Sequence, residues 1–286
     1  MALTTRLKAL ANSALRPINL RVDTLTADRA ERARLLALVQ DGHFSRAVFP
    51  VPPAFRDADP EPLLAALRLH AERLDALARP DRNPVGFTME NDYYSSPDAE
   101  VLYCIVRDTR PRRVVEVGSG HSTRIVRLAM ADGGMDTTLV AIDPQPRADV
   151  SALADVTAAV RVESAEGRAR IGELGPGDIL FIDSSHEIRA GNDVVALCLE
   201  VLPALPAGVL VCVDDIFLPY DYPEAWVVQA GWQWTEQYLV QALLGATARY
   251  EVLWAGHYFQ RTLPGFGGHF PQMRHRVAKS LWMRIR

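Results

Sequence analysis

The sequence predicts an α/β protein: one largely parallel, doubly wound sheet with helices on both faces. Three observations predict it. Short apolar runs recur at 113–117, 138–142, 159–162, 178–182, 209–213, 250–254 and 281–285. Helical stretches separate the first five, and strands alternating with helices imply a parallel sheet covered on both sides. The first run passes through "VVEVGSGHST" straight into a glycine turn, with a carboxylate, Glu116, two positions before the first glycine.

Taken in order, the first 22 residues hold Arg6, Lys8, Arg16 and Arg21 and no acid. They read as a basic amphipathic helix; a transit peptide would look similar, and a signal-peptide apolar core is absent. Residues 27–40 carry apolar side chains at helical spacing, with Thr26 as N-cap. Residues 61–79 repeat Leu63, Leu64, Leu67, Leu74 and Leu77 on one helical face. Between them "FPVPPAFRDADP" is Pro-rich and reads as a non-helical linker, and "ARPDRNPVGF" (78–87) breaks the chain again. Ser96-Pro97-Asp98 opens a helix that runs to about Thr109: a cap, a proline at the first position, then an acid that suits the helix dipole. The last two apolar runs are joined by "GHYFQRTLPGFGGHFPQMRH", a loop without a helix, which suggests an antiparallel pair at the end of the sheet. The division expected is 1–89, a helical extension or cap, and 90–286, the sheet domain.

Composition is that of an ordinary globular chain: 286 residues, 49% hydrophobic, 23% charged, formal net charge −4. This gives no footing for a polyanion-binding protein. Cys104, Cys198 and Cys212 lie in apolar runs without metal-ligand spacing and read as reduced core thiols, hence a cytoplasmic expectation. No stretch reaches the ~18 apolar residues of a membrane span. The tail from Pro271 has five basic residues and no acid, but the alternation in "SLWMRIR" reads as a strand with one exposed face, not as a nucleic-acid surface.

In doubly wound sheets, ligands bind at the carboxyl ends of the strands. Gly118-Ser119-Gly120-His121-Ser122-Thr123 lacks the third glycine of a dinucleotide turn, and Glu116 would repel a pyrophosphate. It would suit a ligand with an amino group. Asp143 ends the second run, 23 residues after Gly120, where an acid can accept hydrogen bonds from ribose hydroxyls. A nucleoside carrying an amino acid and no phosphate fits both carboxylates, and S-adenosylmethionine (SAM) is that ligand.

These motifs, with "AIDP", "DILFIDSSHEIRAGNDV" and "VDDIFLPYDYPEAW", resemble the class I SAM-dependent methyltransferases. They are most similar to the bacterial Methyltransf_24 type, related at the site to catechol and macrocin O-methyltransferases. The resemblance covers about 90–286. It implies a Rossmann-like seven-stranded sheet of order 3-2-1-4-5-7-6, with "SLWMRIR" as the inserted seventh strand. It implies SAM contacts from Glu116, Gly118, Ser119, Gly120, Ser122, Asp143, Ser164 and Asp183. The helices before Glu90 become a cap or a homodimer surface.

The chain carries a second constellation. Asp183 ends the fourth run with His186 three residues on, and Asp214 and Asp215 end the fifth. Carboxylates gathered in one cleft repel unless something positive joins them. A hard cation such as Mg²⁺ would do so through Asp183, Asp214 and Asp215, provided the chain turns at Asp215, since strand neighbours face opposite ways. In the related catechol enzymes a basic residue at the offset of His186 takes the acceptor's proton, so His186 is expected as general base beside Asp183. Tyr93, Tyr94, Tyr220 and Tyr222 would form aromatic walls for a small organic or sugar substrate. The function implied is methylation of such a substrate, most simply at oxygen. Two alternatives stay open: another reaction of SAM, which would release methylthioadenosine instead of S-adenosylhomocysteine, and a SAM-binding scaffold without catalysis.

Overall fold

The computed structural model describes residues 2–77, 85–146 and 150–286. The chain divides into two compact units, Met1–Arg46 with Pro223–Trp232, and Ala47–Tyr222 with Gln233–Arg286. The unit that holds the sheet therefore begins at Ala47, well before the division expected at Glu90.

In the first unit, α1 (Ala2–Leu15) and α2 (Thr26–Gln40) are joined through a 3₁₀ turn at Arg16–Ile18. Asn12 closes the connection by bonding both main-chain groups of Val22, at 3.0 and 2.6 Å. Thr26 is the first helical residue and not the cap; Leu25 precedes the helix and no side chain caps it. Leu7, Leu10, Ile18, Leu20 and Leu25 are exposed.

The second unit opens with α3 (Pro53–Arg56), α4 (Glu61–Leu77) and α5 (Asp98–Thr109). Next along the chain are β1 (Arg113–Val117), α6 (His121–Gly133), β2 (Thr138–Ile142), β3 (Val156–Ala158), α7 (Ala165–Ile171) and β4 (Ile179–Ile182). Then come α8 (Asp193–Ala196), which continues through a π-helical stretch into α9 (Leu202–Ala204), and β5 (Leu210–Val213). The chain ends with α10 (Glu236–Ala246), β6 (Tyr250–Ala255), α11 (Gly256–Thr262) and β7 (Leu281–Ile285). The strand order is β3-β2-β1-β4-β5-β7-β6. Neighbours are parallel except β7, which runs antiparallel to both β5 and β6.

The period of two along each strand feeds two cores. Val114, Leu139, Ile179, Phe181 and Cys212 pack with α4, α5 and α6, and Val115, Val140, Leu180 and Val211 pack with α8, α9 and α10. Both faces are dry, which is why the strands read as continuous apolar runs. The three cysteines are buried and unpaired. Among the described residues no helix is long and apolar enough to cross a membrane.

Four expectations shift. The third strand is Val156–Ala158 and not 159–162: Asp155 bonds Leu139 through main chain and side chain, which starts the pairing early. Val162 is buried instead on the way into α7. The "linker" holds α3, whose prolines sit where a helix start needs no N–H, and Phe55 is 1% exposed. The glycine-rich loop before β7 contains α11, because Phe259, Phe266 and Phe270 gather on Trp254. Ser96 does not cap α5; its hydroxyl bonds Glu100 at 2.6 Å. The break expected at 78–87, and the end of the helix expected to 79, lie mostly outside the described residues.

The last strand is anchored by one buried acid. Asp98, 2% exposed, accepts the Ser280 amide at 2.9 Å, the Ser280 hydroxyl at 2.7 Å and the Lys279 amide at 3.2 Å. It thereby fixes the entry of β7 beside β5.

Candidate active site

Glycine is required at the first turn. Gly118 has φ +82°, and a Cβ there would lie 2.1 Å from the main-chain oxygen of Asp183. The ends of β1 and β4 are thus in direct contact. Gly120 is different: a Cβ would meet nothing within 4 Å, so the protein's own packing does not demand its bareness. The open side of Gly120 is where a ligand could approach the backbone.

Glu116 is fully buried, and neither carboxylate oxygen has a hydrogen-bond partner. Burial pushes its carboxyl up to about 7, only partly countered by the nearby Thr123 and Ser122 hydroxyls. A buried acid without a donor is costly unless something arrives to donate to it. Asp143 is held ready: one oxygen accepts the Ser119 amide and hydroxyl, both at 3.1 Å, and the other accepts the Gln145 amide at 2.8 Å. Ser122 is buried beside Glu116, and Ser164 is the N-cap of α7, accepting the Gly167 amide at 3.1 Å. A buried acid whose oxygens are unpaired, an open glycine and a fixed second acid form a set of acceptors and a bare backbone face that fit SAM.

The second half of the site lies at the ends of β4 and β5. The chain does turn at Asp215, which has φ +58°. Asp183, His186 and Asp215 each offer a ligand atom within 4.8 Å of the others. Nε2 of His186 is 3.1 Å from Asp183 Oδ1 and 3.6 Å from Asp215 Oδ2. Asp214 does not join them. Its carboxylate is buried and lies 3.1 Å from the Lys279 ammonium, which also reaches Asp215 Oδ1 at 2.8 Å. This corrects the expected trio Asp183, Asp214 and Asp215: a lysine at the entry of the chain's last strand has taken one of the three.

Lys279, Glu236 and Trp234 had no motif to mark them. Because β7 is antiparallel to β5 with Val213 opposite Leu281, the pairing carried forward puts Lys279 opposite Asp215. The strand order with that register was the signal that could have found it. Desolvation works against the lysine cation, but the charges of Asp214 and Asp215 outweigh it and hold its pKa well above the usual value.

His186 lies against three acids, Asp183, Asp215 and Glu236. Its Nδ1 is 2.9 Å from Glu236 Oε2, and Glu236, the first residue of α10, is 1% exposed and also holds the Ser184 hydroxyl at 3.1 Å. The amides of Thr235 and Glu236 bond the His186 carbonyl at 2.7 and 3.0 Å, which fixes its left-handed backbone, φ +59°. The Trp234 ring lies 4.2 Å from the imidazole. Burial disfavours the charged ring, yet the bonds to Asp183 and Glu236 prevail and the pKa is held well above its usual value. Both ring nitrogens of His186 are engaged with carboxylates, Nδ1 with Glu236 and Nε2 with Asp183.

The four tyrosines separate. Tyr94 and Tyr222 are 3% and 1% exposed. The Tyr94 hydroxyl donates to the Asp98 carbonyl, and that of Tyr222 accepts the Gln237 amide at 3.0 Å; both are core residues and not substrate walls. Tyr93 is exposed, stacks on His121 at 5.6 Å, and its carbonyl lies 3.4 Å from the Lys279 ammonium, beside the acids. Tyr220 is partly buried between His257 and Arg261. A separate cavity of about 700 Å³ borders β6 and α3 and contains none of these residues.

Residues 115–216 match the family Methyltransf_24, a methyltransferase domain. That segment runs from the strand carrying Glu116 to just past Asp215. With the strand order above, this segment gives the chain a SAM-dependent methyltransferase domain on the class I sheet. A search of curated proteins gives no match. Cofactor-bound Rv0187 from MTB is 18% identical, with 83% of this chain and 98% of that one covered and a TM-score of 0.42. SAH-bound PaMTH1 from Podospora anserina is 18% identical over 93% and 98%, with a TM-score of 0.42. The O-methyltransferase from Bacillus cereus in complex with SAH is 12% identical over 80% and 92%, also at 0.42.

Proposed function

We propose that this methyltransferase acts on a hydroxyl of a small organic or sugar molecule, with a divalent cation at Asp183, His186 and Asp215. The observation that carries the reading is the contact of Gly118 with Asp183, which joins the cofactor turn to the acid rim. SAM, when bound, supplies an electrophilic methyl group on a sulfonium. The chain's part is mainly positioning. Glu116 would accept from the amino group, Asp143 from the ribose hydroxyls, and the bare face of Gly120 would admit the backbone approach. Ser119 and Ser164 support the turn and the adenine side. Tyr93 and Tyr220 would flank the acceptor. The donor set of one imidazole and two carboxylates fits a divalent cation, which would draw an acceptor oxygen to the rim and make its proton easier to lose.

Calorimetry on the full chain should show saturable binding of SAM and S-adenosylhomocysteine, with Asp143→Ala weaker by about tenfold or more, the worth of a lost charge-assisted contact. A preference for NAD over SAM would overturn the cofactor assignment. With phenolic and sugar acceptors, release of S-adenosylhomocysteine should stop in EDTA and return with a divalent cation. Turnover untouched by EDTA would remove the cation and leave the acids as substrate contacts. Methylthioadenosine as the product would favour another use of SAM.

A further inference from the structure

We infer that the cation site of this chain is a mixed nitrogen–oxygen site that takes divalent transition metals in preference to Mg²⁺. This rests on the cation reading above and adds the metal class.

The argument starts from what Lys279 removes. Its ammonium lies against Asp214 Oδ2 and Asp215 Oδ1. Asp214 is thereby withdrawn, and Asp215 has only Oδ2 left to face the cluster. An oxygen-only site for a hard ion has lost a carboxylate. In its place stands Nε2 of His186, 3.1 Å from Asp183 Oδ1 and 3.6 Å from Asp215 Oδ2. Separations near 3 Å are those of adjacent ligands around an ion bound at roughly 2.1 Å.

The imidazole is also prepared for that role. Glu236 is buried at the start of α10 and takes Nδ1 at 2.9 Å. With Nδ1–H donating to Glu236, the lone pair is on Nε2, the atom that faces both aspartates. A metal-ligating histidine whose other nitrogen donates to a carboxylate is a recurrent arrangement, and the partner tunes affinity. The ion would take the place of the Nε2 proton. The Asp183 side chain is 43% exposed, which leaves the site open on one side for water or an acceptor oxygen. Mg²⁺ keeps to oxygen ligands and holds its waters, whereas an imidazole nitrogen raises affinity along the series from Mn²⁺ through Co²⁺ to Zn²⁺.

The test is calorimetric titration of the metal-stripped full chain with MgCl₂ and CoCl₂, beside spin-echo spectroscopy of the Mn²⁺-loaded wild type. Co²⁺ should bind about 100-fold more tightly than Mg²⁺. His186→Gln should weaken Co²⁺ by about tenfold or more, Glu236→Gln by about tenfold, and neither should shift Mg²⁺ by more than about threefold. The wild-type Mn²⁺ signal should carry the modulation of one imidazole nitrogen, a readout that needs no variant to fold. Equal affinities for Co²⁺ and Mg²⁺, equal losses of both in His186→Gln, or a Mn²⁺ signal without nitrogen would overturn the inference and leave the cation reading standing. No saturable binding of any of the three ions would sink both.

Discussion

Gly118→Ala is expected to lose roughly 3 kcal/mol or more of stability and about 100-fold or more of SAM affinity. Two costs combine. A φ of +82° strains any side chain, by about 1–3 kcal/mol. The added carbon would also lie 2.1 Å from the Asp183 carbonyl oxygen, a main-chain atom that cannot swing aside. Relief requires β1 and β4 to move apart at their carboxyl ends, where Glu116 and Asp183 lie. Gly120→Ala is the matched control. Its Cβ meets nothing in the protein, so melting should stay near wild type while SAM binding falls. Chemical denaturation and calorimetry read the two quantities separately. Wild-type stability in Gly118→Ala would mean that the close approach of the two strands is not there.

Lys279→Met should destabilise the chain by about 3–5 kcal/mol, the usual loss when one partner of a buried ion pair is removed. The lysine is the shared cation of two buried carboxylates, with side chains 2% and 6% exposed. Burial already pushes Asp214 well above the usual carboxylate range, and Lys279 is the charge that restrains it. Without it, Asp214 must be protonated or hydrated. Adding Asp214→Asn to Lys279→Met removes one of the stranded charges and should restore part of the stability, which urea unfolding of the three variants would show. A double variant no more stable than Lys279→Met would show that the charge is not the cause.

Most strands and the first glycine turn were legible because each is written in a local pattern: short apolar runs, and Glu116, Gly118 and Asp143 at set distances along the chain; the strand order came only from the family resemblance those motifs carry. What escaped is non-local. Lys279 sits among other basic residues in a tail whose composition suggested only an exposed face, and its role exists only once β7 lies beside β5. Glu236 opens a helix, where an acid is ordinary, and nothing in its neighbours names His186 as its partner. Tyr94 and Tyr222 show the converse. An aromatic near a site motif reads as a wall, but burial assigns both hydroxyls to main-chain groups. His186 lay in the right place, but its bond to Glu236 exists only once α10 packs beside it.

The two halves of the site differ in how much of the chain must be in order to keep them. Glu116 to Thr123 is a single strand–turn–helix segment, whereas the bond from Lys279 to Asp214 closes a loop of 65 residues. Gathering such a loop costs roughly 4 kcal/mol in chain entropy. Among the described residues β6 pairs only with β7, so an opening that frees β7 also releases the sheet's edge and removes the lysine from the acids. The cofactor half then stays framed by β1, β2 and β4. Partial unfolding from the C-terminal side would thus produce a form that still holds SAM and cannot use it, and catalytic competence is coupled to the lifetime of one inserted strand.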